Sequence, residues 1–251
     1  MIRSFLLMTF AFIIAAPASA QTPAARSSVQ RLERGYITIA GGIQATDTFT
    51  DRFDHAVNAE TATTDARYPA RAGVLLNVGV GRRLWPSIGA AVHLTRAGIG
   101  RRAHVDSAVP HPFFDNRHRQ VAGVASDLTR SETAVHLQLN YQRAMGRWTL
   151  RAGAGPSYVH VEQEVVTGVT VDEEFPYDTA TFRDATSTRA KRGAVGFNAG
   201  GEISRTFTRR LGAAFLGRFT RARVALNVER GHRVSIDAGG AQVGAGLRVA
   251  F

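Results

Sequence analysis

Apolar residues on alternate positions recur along this chain in eight stretches, and in most of them the other parity is small or polar. Successive side chains of a β-strand face opposite sides, so each such stretch has one apolar face and one polar one. The clearest sets Val135, Leu137, Leu139 and Tyr141 against His136, Gln138, Asn140 and Gln142. The last, "GAQVGAGLRVAF", sets Val243, Ala245, Leu247, Val249 and Phe251 against Gln242, Gly244, Gly246, Arg248 and Ala250. The approximate strand spans are 35–48, 71–84, 87–100, 131–144, 148–163, 191–206, 210–226 and 236–251. Two kinds of all-β fold suit the pattern. A soluble sandwich or barrel turns the apolar faces inward, whereas a membrane barrel turns them toward lipid.

Connection lengths favour the second. The links around Leu84-Trp85-Pro86, Ala144 to Arg147 and Thr206 to Arg209 are short, and those after the first, third and fifth strands are long. Short turns at one end and long loops at the other are the habit of an outer-membrane barrel. Trp85, Trp148 and Phe207 sit at the short turns, where an aromatic ring suits a membrane–water boundary. With the short turns periplasmic, both termini lie on that side too, and the long loops face outward.

The N-terminus agrees. Residues 1–20 read as a secretory signal peptide: a short basic start, an apolar run from Phe5 to Ala16, and Ala18-Ser19-Ala20 before Gln21. Residues 21–33 form a polar tail, and 34–251 form one barrel domain. Beyond the signal no stretch is long and apolar enough for a transmembrane helix. Entry into a bilayer therefore requires a closed barrel, the other structure that satisfies every backbone group in lipid. Cysteine is absent, which excludes the disulfide-rich secreted class. The formal charge is +11, with Lys191 the single Lys. Export and the scatter of the Arg residues argue against nucleic acid and for anionic lipid headgroups as the partner.

On these features the chain resembles the small eight-stranded outer-membrane β-barrels, the group that includes the outer membrane protein A transmembrane domain, outer membrane protein X and the opacity surface proteins. The resemblance covers about residues 34–251. It rests on the signal peptide, the Gly-rich first strand "GYITIAGGIQA", eight alternating strands and the terminal Phe251. It implies an antiparallel up-and-down barrel in the outer membrane of a Gram-negative cell. It also implies that Phe251, with Val249, Leu247, Ala245 and Val243, is the signal read by the barrel-assembly machinery. A periplasmic peptidoglycan-binding domain of the protein A kind does not follow the barrel, so cell-wall anchoring is not expected.

Eight strands enclose a lumen filled by side chains. Parity places Gln44, Asn77, His93, His136, Gln138, Asn140, Arg151, Asn198, Glu202, Arg218 and Arg248 inside. Glu202 is the one acid assigned to the inner face of the membrane span, and it is expected to pair with one or more of Arg151, Arg218 and Arg248. A fixed plug and a gated path for small ions both fit. Where strands leave the membrane stand Arg96, Arg101, Arg102, Arg130, Arg189, Lys191, Arg192, Arg221 and Arg223. These are candidate contacts for lipopolysaccharide phosphates, which Arg grips bidentately.

The long loops would carry any specific recognition. Loop 1 (about 49–70) holds Asp51, Asp54, Glu60 and Asp65; loop 3 (about 164–190) holds Asp172 to Glu174, Asp178 and Asp184. Their spacing matches no calcium loop, so solvated acidic loops are the expectation. His104, His111 and His118 recur in loop 2, but Pro110 and Pro112 prevent a helical face. Ser126, Ser131, His136 and His160 could be combined as a catalytic set, but triads are defined by geometry that no motif here fixes. The expectation is a barrel with a structural or surface-interaction role, without cofactor or catalysis, whose loops meet an unidentified extracellular ligand. A small-solute or ion channel is the alternative. Behind it stand a lipid-modifying barrel enzyme and a soluble lipocalin-like binder with its apolar parity turned inward.

Parity has a direct test. Leu139→Arg is expected to destabilise the barrel by about 2–4 kcal/mol in lipid, and Arg at Gln138 much less. Equal losses in urea titrations would reverse the assignment of faces.

Overall fold

The computed structural model describes residues 33–228 and 232–251; the signal peptide and all but the last residue of the tail lie outside them. Ten strands are described: β1 (Gly35–Thr46), β2 (Phe49–Val57), β3 (Glu60–Tyr68), β4 (Arg71–Arg83), β5 (Ile88–Pro110), β6 (His118–Met145), β7 (Trp148–Glu173), β8 (Ala180–Thr206), β9 (Leu211–Asn227) and β10 (Arg233–Ala250). Eight of them close an antiparallel ring in the order β1, β4, β5, β6, β7, β8, β9, β10 and back to β1. The other two form a hairpin in the first long connection. Its strand β3 adds to the outer part of β5, from Thr63 opposite Ala108 to Arg67 opposite His104.

The terminal strand closes the ring against the first, from Tyr36 opposite Ala250 to Gln44 opposite Gln242. Phe251 continues this pairing, exchanging two 2.9 Å backbone hydrogen bonds with Gly35. A Cβ on Gly35 would lie 2.6 Å from the Phe251 ring, so glycine makes the room for that side chain.

Around the ring the apolar parity faces out. Val74, Leu247 and Val195 are 68%, 68% and 74% exposed, while Asn77, His136, Asn198 and Arg248 on the opposite parity are buried. A lipocalin-like interior would need the reverse, so that reading is excluded. Trp85, Trp148, Phe207 and Phe251 are exposed at the short-turn rim, and Tyr158, Phe197 and Phe219 are exposed at the other end of the apolar belt. These are two aromatic girdles around an apolar band, as a bilayer requires.

The long connections are largely strand, which corrects the expected boundaries. Above the belt β5, β6, β7 and β8 continue for roughly 15 residues, about 50 Å of strand. The apolar residues change sides as they do so. On β5, Val92 and Leu94 point out, whereas Ala97, Ile99, Ala103, Val105 and Val109 are buried inside. The same inversion separates Phe219 from Ala222, Val224 and Leu226 on β9, and Val243 from Ala238, Ile236 and Val234 on β10. Below the switch the apolar face meets lipid; above it the same strands pack apolar faces on one another and turn polar faces to water. Two buried clusters result. One joins the upper parts of β7, β8, β9 and β10, and the other joins β2, β3, β5 and β6 to the β7–β8 hairpin. Within the second, Phe49 stacks on Tyr68 at 4.2 Å, and burial pushes the Tyr68 phenol above its ordinary range.

One ladder is interrupted inside the membrane. Between β6 and β7 the pairing lapses from His136–Ser157 to Leu139–Ala154, where Pro156 has no N–H to give. The side chain of Asn198, reaching across from β8, repairs it. Its Nδ2, which carries two hydrogens, lies 3.3, 3.0 and 3.0 Å from the carbonyls of Leu137, Gly155 and Pro156 and 2.8 Å from Ser157 Oγ, and shares its two donors among them. Gln138 donates to the Asn198 Oδ1 at 2.6 Å and holds the amide in place. Replacement by Leu removes both amide donors from the gap in the β6–β7 ladder, in a wall with no water on the lipid side. Asn198→Leu is therefore expected to lower stability by about 2–3 kcal/mol, measured by urea unfolding in vesicles. A loss no larger than that of Thr206→Leu at the turn would refute this role.

Candidate functional site

The lumen is the one place where the ring brings many chemically active groups together, and it is built in tiers. Nearest the short turns, the Glu202 carboxylate receives Arg248 and, at 3.4 Å, Arg151. Glu33 enters the same cluster, its Oε2 lying 3.0 Å from Arg151 and 3.1 Å from Arg248. The two guanidinium groups flank the buried Tyr36 ring, at 4.6 Å for Arg151 and 3.4 Å for Arg248. Arg151 also donates to Ser204 Oγ at 3.1 Å. Two acids and two bases thus satisfy one another where water is scarce, the condition under which buried charge is tolerated.

The middle tier is neutral apart from Arg218. His136 bridges Thr95 Oγ1 at 3.0 Å and Ser157 Oγ at 2.8 Å. Arg218 donates to Asn77 Oδ1 at 3.3 Å. The expected partners of Glu202 therefore separate: Arg151 and Arg248 join it, and Arg218 does not come within ion-pair distance among the described residues.

The third tier, at the outer end of the belt, was not anticipated. Glu132 is buried and holds Arg130 in a 2.5 Å ion pair. It also accepts from Gln44 Nε2 at 2.7 Å, and Gln242 donates to Gln44 at 2.8 Å. The Gly239 backbone N–H completes its shell at 2.8 Å. That N–H points inward because Gly239 and Gly240 adopt φ of 92° and 117°, a left-handed turn of the chain that side chains with a Cβ resist. The Gly-Gly pair inside a strand was the available sequence signal for such a close approach. Above this tier lie the two apolar clusters, interleaved with buried polar groups such as Arg101, Gln163, Thr64 and Ser107.

Arg101 and Arg130 are corrections to the headgroup set. Both are buried inside, Arg130 on Glu132 and Arg101 donating to Thr46 Oγ1 at 2.5 Å. Because the strands persist past the membrane, alternate side chains still face inward there, and nearness to the boundary alone does not expose a residue. Arg96, Arg102, Lys191, Arg192, Arg221 and Arg223 are exposed. Of these, Arg221 and Arg223 lie 2.8 and 4.0 Å from Asp237, and Arg192 stands opposite the inward Val161.

The outer hairpins match much of their own acid. Asp51 accepts from His232 at 2.8 Å, Asp178 pairs with Arg117 at 2.8 Å, Asp172 with Arg183 at 3.4 Å, and Glu173 with Arg119. His104 lies on β5, His111 in the turn that follows it and His118 at the start of β6, and no group of three or more potential metal ligands forms among the described residues. Ser126, Ser131 and His160 do not join His136, which is enclosed in the lumen. At the tips of β5–β6 and β7–β8, Phe113, Phe114 and Phe175 are 71%, 55% and 85% exposed, with Tyr177 5.3 Å from Phe113. No sequence periodicity marks that patch.

No family model matches the chain, and none of the curated proteins matches it. Solved structures do. Neisserial surface protein A is 11% identical and has a TM-score of 0.50, with 86% of this chain and 97% of that one covered. The outer membrane protease OmpT of Escherichia coli gives 11% identity, a TM-score of 0.44 and coverage of 86% and 96%. The N-terminal β-barrel domain of Pseudomonas aeruginosa OprF gives 11%, 0.36 and coverage of 87% and 98%. Of the three, the first is close enough in shape to argue from, and at that identity it establishes the fold and nothing about activity. The fold is that of a small outer-membrane β-barrel.

Proposed function

We propose that this is an outer-membrane barrel with a structural and surface-contact role, its lumen closed and without catalysis. The observation that carries the reading is the succession of buried groups across the interior, from the Glu33–Arg151–Glu202–Arg248 cluster through Arg130–Glu132 to the apolar clusters above. A conducting path would have to displace these paired charges and pass between the apolar clusters. The short turns then face the periplasm, Phe251 is the assembly signal at that rim, and the outer hairpins with their aromatic tips meet an extracellular partner through a large exposed apolar patch.

Glu202→Gln distinguishes plug from gate. A plug shows no change in single-channel conductance in planar bilayers, because the apolar clusters remain; a clear increase or loss of current favours the channel.

Arg96, Arg102 and Lys191 stand outward just above the belt and carry the proposed contact with lipopolysaccharide phosphates. Their combined replacement by Gln is expected to remove most of the rise in unfolding temperature that lipopolysaccharide gives the refolded barrel. If wild type is indifferent to lipopolysaccharide on heat-modifiability gels, that partner is wrong.

A further inference from the structure

We infer that the lumen holds a monatomic anion, chloride under ordinary conditions, beside Arg218. The short-turn end and middle of the lumen contain three buried guanidinium groups, Arg151, Arg218 and Arg248, and two carboxylates among the described residues, Glu33 and Glu202. Both carboxylates are engaged by Arg151 and Arg248. Arg218 is left as a cation that is 6% exposed, whose one hydrogen-bond partner among the described residues is the neutral Asn77 Oδ1. A charge withdrawn from water needs a counter-charge.

The space beside it fits one. Arg218 lines a cavity of about 20 Å³ with Tyr36, His93, Asn140, Arg151 and Glu202. That is room for one water or one ion of similar size, and too little for a phosphate or an organic acid. Four buried atoms nearby lack partners: the donors Arg218 Nε and Asn77 Nδ2, the ring nitrogen His93 Nδ1, and one acceptor, Asn140 Oδ1. The Asn77 amide is oriented by Arg218 itself, whose donation fixes the oxygen toward the guanidinium and leaves the NH2 free. Glu202 shares the cavity wall, but its charge is compensated by the two guanidinium groups bound to it. A water would satisfy the donors and leave the positive charge unbalanced; a halide does both.

The need for a resident counter-ion rests on the closed-lumen reading, but the tests are separate: conductance examines the closure, and halide binding examines this site. The refolded chain is compared in sodium chloride, bromide and gluconate at equal ionic strength, gluconate being too large for the cavity. Halides are expected to raise the unfolding temperature by roughly 3 °C over gluconate, and Arg218→Met to abolish that difference. Crystals grown in bromide are expected to show an anomalous peak against the Arg218 guanidinium. Equal unfolding temperatures in gluconate and halide, an undiminished halide effect in Arg218→Met, or bromide crystals without that peak would each overturn the inference. If Arg218→Met fails to fold, the bromide peak in the wild-type barrel decides.

Discussion

A strand in lipid has no water to hydrogen-bond to, so the ring must close and every backbone group must be satisfied within it. The pairing of β10 with β1 closes the last seam of that ring. The exception at Pro156 shows how strict it is. One side chain, Asn198, shares its two amide donors among the acceptors there, and Gln138 is committed to steadying it. These two residues look like lumen filling when read by parity, yet they belong functionally to the wall.

Closure in turn dictates the lumen. Eight strands leave too little space for bulk water, so each inward charge must find its partner on another strand. The clusters around Glu202 and Glu132 tie β1, β6, β7, β8 and β10 together through side chains as well as backbone. Above them, apolar packing joins ion pairing. The interior is therefore dominated by charged pairs at the short-turn rim and becomes richer in apolar packing outward, with Arg101 and Arg119, the latter paired to Glu173, still buried there.

Most of the membrane ring was legible in the sequence, because lipid on one side and a polar lumen on the other impose a clean alternation. Leu137 against His136, or Leu247 against Arg248, suffices to assign faces. The outer hairpins were not legible as strands for a physical reason. Above the belt, water replaces lipid, so residues such as Val105 and Val224 fall on the opposite parity from Val92 and Phe219. An alternation that changes phase within one strand looks like an ending. The same switch misplaced Arg101 and Arg130, which parity alone, carried through the boundary, puts inside. Glu33 was hidden differently, since a residue preceding the first strand has no parity to read.

The inverted phase also limits how such a chain can change length over generations. A single residue gained or lost along an outer hairpin would rotate everything beyond it, exposing Val105 or Val161 to solvent and burying their charged neighbours. Single-residue changes need a β-bulge to absorb them, and the ladders there carry such shifts between Arg101 and Ala103, Val166 and Gly168, and Thr170 and Val171. The outer architecture thus changes length along its strands either two residues at a time, as a zipper does, or through a bulge that resets the phase, while the tips vary residue by residue.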